Sequence, residues 1–242
     1  MEEMNKNTAF GFHWHPKMEG GRILNSQSPW EWYSDDVITV QGDTLALTYR
    51  ENPREVKHHN GKIYHPTIER AMFRTEEAFG YGTFSADIRL PKGKNITSSF
   101  WLSGNGNWPP EIDICEAWWK NTCLRLFSWN ATNNVHYRNE LLEHQHITSK
   151  GVSWLRMCDP RERFYNYACR WEPDKITFYI NGKVVREVYG YVCNALTTNL
   201  SHPEKGYEMN IIINCGAQYE PSTTKTVVTS PMLVKNVKYL PL

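Results

Sequence analysis

The sequence predicts an all-β protein: one domain of two packed antiparallel sheets across residues 1–242. Three observations point there. Short runs rich in β-branched and aromatic residues recur, separated by Gly, Pro and Asn. No stretch keeps a helical period beyond about two turns. Asn181-Gly182 sits between two such runs, the strongest short signal for a type I′ hairpin.

In chain order the strand signals are Val37–Val40, Leu45–Tyr49, Gly82–Leu90, Ser98–Leu102, Glu111–Trp118, Cys123–Trp129, Tyr165–Trp171, Lys175–Ile180, Lys183–Val188, Glu208–Asn214 and Leu233–Leu240. Gln41-Gly42-Asp43 predicts a turn between the first two. A further strand holding Arg70 and Arg74 precedes Phe79–Phe84. The segment Ala131–Arg163 is polar, rich in His and Asn, and too long for a hairpin turn. It predicts strands and loops that wall a cleft.

Composition narrows the function. A net charge of +1 with 22% charged residues excludes the basic footprint of a nucleic-acid binder. No apolar run is long enough for a membrane-spanning helix, and the polar start Met1–Lys6 does not read as a signal peptide. The chain is read as a monomer, and its cellular location stays open. The six cysteines show no CxxC or zinc-ligand spacing. Cys115, Cys169 and Cys215 lie in apolar runs, where a reduced thiol packs as a small hydrophobe. His13, His15, His58, His59 and His65 form no metal pattern, so neither metal nor cofactor is expected.

The most informative segment is Glu111-Ile112-Asp113-Ile114-Cys115-Glu116. Burying unpaired carboxylates on an apolar strand costs several kcal/mol, a cost chains accept mainly where chemistry is done. Alternation puts Glu111 and Asp113 on one face, but Glu116 lies at an odd offset and would turn to the other. A β-bulge near Ile114-Cys115 would restore it to the face of the other two acids.

With its flanks, this segment resembles the ExDxxE signature of glycoside hydrolase family 16. Phe79-Gly80-Tyr81-Gly82-Thr83-Phe84 is similar to the family's YGxF strand, and Ser99-Phe100-Trp101-Leu102 to its FWL strand. Trp108-Pro109-Pro110 leads into the acids, and Phe164–Trp171 with Phe178–Lys183 resembles a later family segment. The resemblance covers roughly residues 35–240. It implies a concanavalin-like β-jelly roll with a concave substrate cleft. It also implies endo-acting, retaining hydrolysis of internal β-1,3 or β-1,4 bonds in a glucan or galactan. By resemblance Glu111 is the nucleophile, Glu116 the general acid/base and Asp113 the assisting carboxylate. Tyr165 stands where the family has a His. Lys235 stands where many members have an Asp that helps bind a structural calcium, which predicts no calcium there.

Around the acids, Trp101, Trp108 and Trp118 are candidate sugar platforms, against the alternative of core packing. His136 and Asn214 are candidate cleft residues, against surface and strand-end readings. Arg70 is a candidate for an anionic substituent, although a solvated charge is the commoner role. Two other functions stay open: a lectin-like carbohydrate-binding module, which would need no acids in its groove, and a transglycosylase using the same acids.

Overall fold

The computed structural model describes residues 4–18, 21–22, 29–58, 61–104, 108–119, 129–148, 159–190, 192, 208–220 and 224–242. Within these, two large sheets face each other. The first runs, in spatial order, Trp14–His15, Ile68–Thr75, Met209–Ala217, Ile96–Gly104, Glu111–Trp119, Trp129–Arg138 and His144–Thr148. Tyr49–Glu51 and the parallel strand Glu31–Ser34 also pair with Ile68–Thr75. The second runs Lys183–Tyr189, Lys175–Ile180, Tyr165–Trp171, Gly82–Arg89, Met232–Pro241, Thr44–Leu47 and Ile38–Gln41. No helix among the described residues is long and apolar enough to cross a membrane.

Alternation builds the core between the sheets. Phe73, Phe100, Leu102, Ile112, Ile211 and Ile213 from the first sheet meet Phe84, Ile88, Tyr167, Trp171, Phe178 and Val234 from the second. Each such side chain contributes roughly 1.5–3 kcal/mol on burial. Cys115, Cys169 and Cys215 are buried in this layer, as expected of small hydrophobes. Cys123, Cys158 and Cys193 lie outside the described residues.

The hairpin after Ile180 closes with Asn181 at φ 48° and Gly182 at φ 73°, both left-handed as a type I′ turn requires. Leu45–Tyr49 divides at Thr48, its two halves joining different sheets. Of Cys123–Trp129, only Trp129 is described, and it opens a strand that continues to Arg138. At the far edge of the chain, Val234 and Val237 both face the core across a bulge, with Asn236 at φ 52°.

Candidate active site

The bulge lies where strand parity requires it. Opposite Ile96–Gly104, Phe100 pairs with Cys115 and Trp101 with Asp113, so Ile114 is the extra residue. Opposite Trp129–Arg138, the register slips between Asp113 and Glu116. Ile112, Ile114, Cys115 and Ala117 all enter the core. Glu111, Asp113 and Glu116 therefore share the outer face, each one strand step from the next.

Cross-strand pairing sets four ranks across that face. Asn210, Ser103, Glu111, His136 and His146 form the first. Arg74, Ile212, Trp101, Asp113, Asn134 and Thr148 form the second. Met72, Asn214, Ser99, Glu116 and Thr132 form the third. Gly216, Thr97 and Trp118 form the fourth. Of the six predicted binding residues, Trp101, Trp118, His136 and Asn214 lie in these ranks, and Arg70 packs against Gly216. A Cβ on Gly216 would meet the Arg70 Cγ at 2.4 Å.

Trp108 Nε1 donates to Glu111 Oε2 at 2.8 Å. Trp108 is also 48% exposed, which leaves ring surface available to a ligand. His136 Nε2 stands 3.4 Å from Glu111 Oε1 and 3.4 Å from Asp113 Oδ2. Trp101 Nε1 donates to Asn214 Oδ1 at 2.7 Å. Asn214 Nδ2 is buried without a hydrogen-bond partner among the described residues, a donor directed at this face. Trp118 is half-buried on the same face. Arg70 Nη1 donates to Glu31 Oε2 at 2.7 Å.

Burial dominates the electrostatics. It pushes Glu111 up to about 8, helped by the neighbouring Asp113 charge and opposed by His136 and the Trp108 N–H. Burial and the Glu116 charge hold Asp113 well above the usual carboxylate range, against a hydrogen bond with Glu111. Burial also raises Glu116, while His136 and Arg70 pull it down. Burial thus acts on all three carboxyls in the same direction, against ionisation.

A chain with this fold and this acid strand matches the family model "Glycosyl hydrolases family 16" over residues 24–227. The chain belongs to glycosyl hydrolases family 16. A β-glucanase of Acetivibrio thermocellus is 31% identical over 147 residues, 55% of this chain and 39% of that protein. The chain therefore spans well under two thirds of that relative. Among solved structures, porphyranase B from Zobellia galactanivorans superposes with a TM-score of 0.69 at 17% identity, covering 99% of this chain and 88% of that one. The κ-carrageenase of Pseudoalteromonas carrageenovora, complexed with an oligotetrasaccharide of κ-carrageenan, gives 0.64 at 16%, covering 98% and 91%. These two likenesses are of fold, and the family 16 jelly roll is the fold seen.

At the position of the family's calcium-binding Asp stands Lys235. Lys235 Nζ lies 4.7 Å from the centroid of the Phe164 ring. Asp87, paired with Lys235 across the sheet, has its two oxygens taken by Asn166 Nδ2 and Asn236 Nδ2 at 2.8 Å each. In the cleft, Glu111, Asp113 and His136 offer ligand atoms within 4.8 Å of one another, as do His136, His144 and His146.

Sequence reasoning did not single out Asn134, Ser99, His144 or His146. Asn134 orients His136, its Nδ2 lying 2.8 Å from His136 Nε2. His144-Gln145-His146 was detectable as an alternating pair on a strand. What placed it beside His136 was pairing with Trp129–Arg138.

Proposed function

We propose that the chain is an endo-acting, retaining glycoside hydrolase that cleaves internal β-1,3 or β-1,4 bonds of a glucan or galactan. The observation behind this reading is the bulge, which lines up Glu111, Asp113 and Glu116 on one face of the cleft. A retaining enzyme needs two carboxyls about 5–5.5 Å apart, one to attack and one to donate a proton. Glutamates two strand steps apart can converge on a bond lying over the smaller Asp113.

In this mechanism Glu116 protonates the glycosidic oxygen while Glu111 attacks the anomeric carbon from the opposite side. The aglycone leaves and a covalent glycosyl-Glu111 ester forms. Glu116, now ionised, takes a proton from water as the water oxygen attacks the anomeric carbon and Glu111 leaves as its carboxylate, which releases the sugar with its configuration retained. The nucleophile must be ionised although burial opposes it. Asp113, the most buried acid, resolves this by keeping a proton. That removes the neighbouring charge that raises Glu111. The Trp108 N–H supports the same anion. The unpaired Asn214 amide donor is suited to a sugar oxygen, and Trp108 and Trp118 to sugar faces.

The roles separate by azide rescue on an activated aryl glycoside. Glu116→Ala with azide is expected to give the β-glycosyl azide, and Glu111→Ala the α-glycosyl azide. Full hydrolytic activity in either variant without azide would overturn the assignment. Long and short oligosaccharides distinguish the alternatives: shorter products for a hydrolase, longer products for a transglycosylase, no change for a lectin.

A further inference from the structure

We propose that His136, His144 and His146 form a binding site for a divalent transition-metal ion such as Zn(II), and that its occupancy inhibits the enzyme. The binding stands on geometry alone, while the inhibition rests on the catalytic reading above.

His144 and His146 alternate on the edge strand His144–Thr148, so both project from one face. Pairing sets His146 directly opposite His136. One nitrogen from each ring lies within 4.8 Å of the other two. A tetrahedral zinc with nitrogens at about 2.0–2.1 Å spaces them at roughly 3.3 Å. Small χ rotations of the two exposed residues bridge that gap. His136 Nδ1 and His144 Nε2 are already 2.8 Å apart, sharing a hydrogen bond that an ion would replace. Three imidazoles at an open edge leave a fourth position to water. The nearby Arg138 guanidinium is turned to carbonyl oxygens, those of Leu142 at 2.8 Å and Trp108 at 3.0 Å.

The other nitrogen of His136 connects this site to the acids. A metal-ligating histidine usually gives its second N–H to a carboxylate. His136 Nε2 lies 3.4 Å from both Glu111 and Asp113. Without metal, the Asn134 amide decides the tautomer. Its Oδ1 accepts from Val135 N and Thr148 Oγ1, both at 3.0 Å, so its Nδ2 is the atom facing His136 Nε2. Nε2 is then the acceptor and Nδ1 holds the proton. A metal on Nδ1 reverses this. Nε2 gains the proton, Asn134 must turn away, and a new donor points at Glu111. Backed by the charge of the ion, that bond holds the carboxylate more tightly than the Trp108 N–H alone and lowers its nucleophilicity. Neither metal nor cofactor was expected from the sequence, because the three histidines meet only through strand pairing.

The test titrates ZnCl₂ into EDTA-stripped, dialysed protein by calorimetry, alongside His144→Gln/His146→Gln. The wild type is expected to bind one ion per chain at this site, with at least tenfold weaker binding in the double variant. Co(II) should give a visible d–d band in the wild type that the double variant loses. The rate ratio with and without saturating Zn(II) should fall at least fivefold for the wild type, return with EDTA, and stay near unity in the double variant. No binding to the wild type, or equal binding to both proteins, overturns the site. Binding that the variant loses, with an unchanged rate ratio, overturns the inhibition. Calorimetry reads the site even if the protein cleaves no glycoside.

Discussion

Arg70→Met tests whether the Arg70 guanidinium holds the sheet or serves a substrate. Arg70 Nη1 donates to Glu31 Oε2 at 2.7 Å, with Arg70 13% and Glu31 2% exposed. The other Glu31 oxygen accepts from Ala217 N at 2.9 Å. Methionine fills similar volume but leaves a carboxylate in a dry site with one N–H for compensation. Removing one partner of a buried pair costs about 3–5 kcal/mol. For a chain of this size each kcal/mol shifts Tm by about 2–4 °C, so a fall of roughly 6–20 °C is expected. Glu31→Gln/Arg70→Met orphans no charge, and the glutamine oxygen can still accept from Ala217. The double variant should come back to within about 2 kcal/mol of wild type. Urea denaturation of the wild type, both singles and the double completes the cycle. An Arg70→Met protein as stable as wild type, but weakened toward anionic polysaccharide, would refute this reasoning and support the substrate role.

Glu111→Gln and Glu116→Gln are each expected to abolish hydrolysis, checked by reducing-end release from laminarin, barley glucan, agarose, porphyran and carrageenan. Glu116 is raised in the folded state, so its burial costs no stability below the ordinary glutamate pKa and an increasing amount as pH rises through the folded value. Glu116→Gln should therefore melt higher than wild type at pH 7, with the difference vanishing near pH 4; equal melting at both would count against the raised pKa. The same shift places the basic limb of the pH–rate profile above the ordinary glutamate range. In Gly82→Ala the new Cβ would sit 2.5 Å from Leu240 O, so denaturation should show a loss of about 1–3 kcal/mol.

Much of the site was legible because strand parity is local. Ile112 and Ala117 had to face the core if the acids were to face out, and only an added residue could reconcile Asp113 with Glu116. The Asn181-Gly182 turn was legible for the same reason, since two residues dictate its dihedrals. The division of Leu45–Tyr49 between two sheets was not legible, because each half follows its hydrogen-bond partners and the break at Thr48 leaves little trace in composition.

By itself the sequence determined the all-β class, the acid strand, its bulge and the side chains competent for glycoside chemistry. Only the tertiary structure decided their neighbours. It paired Arg70 with Glu31, 39 positions earlier. It aimed the free Asn214 amide into the cleft and gathered His136, His144 and His146 at its edge. The reason is physical: a strand's two faces are written in successive residues. Which strand lies alongside, and in what register, follows from packing the whole core.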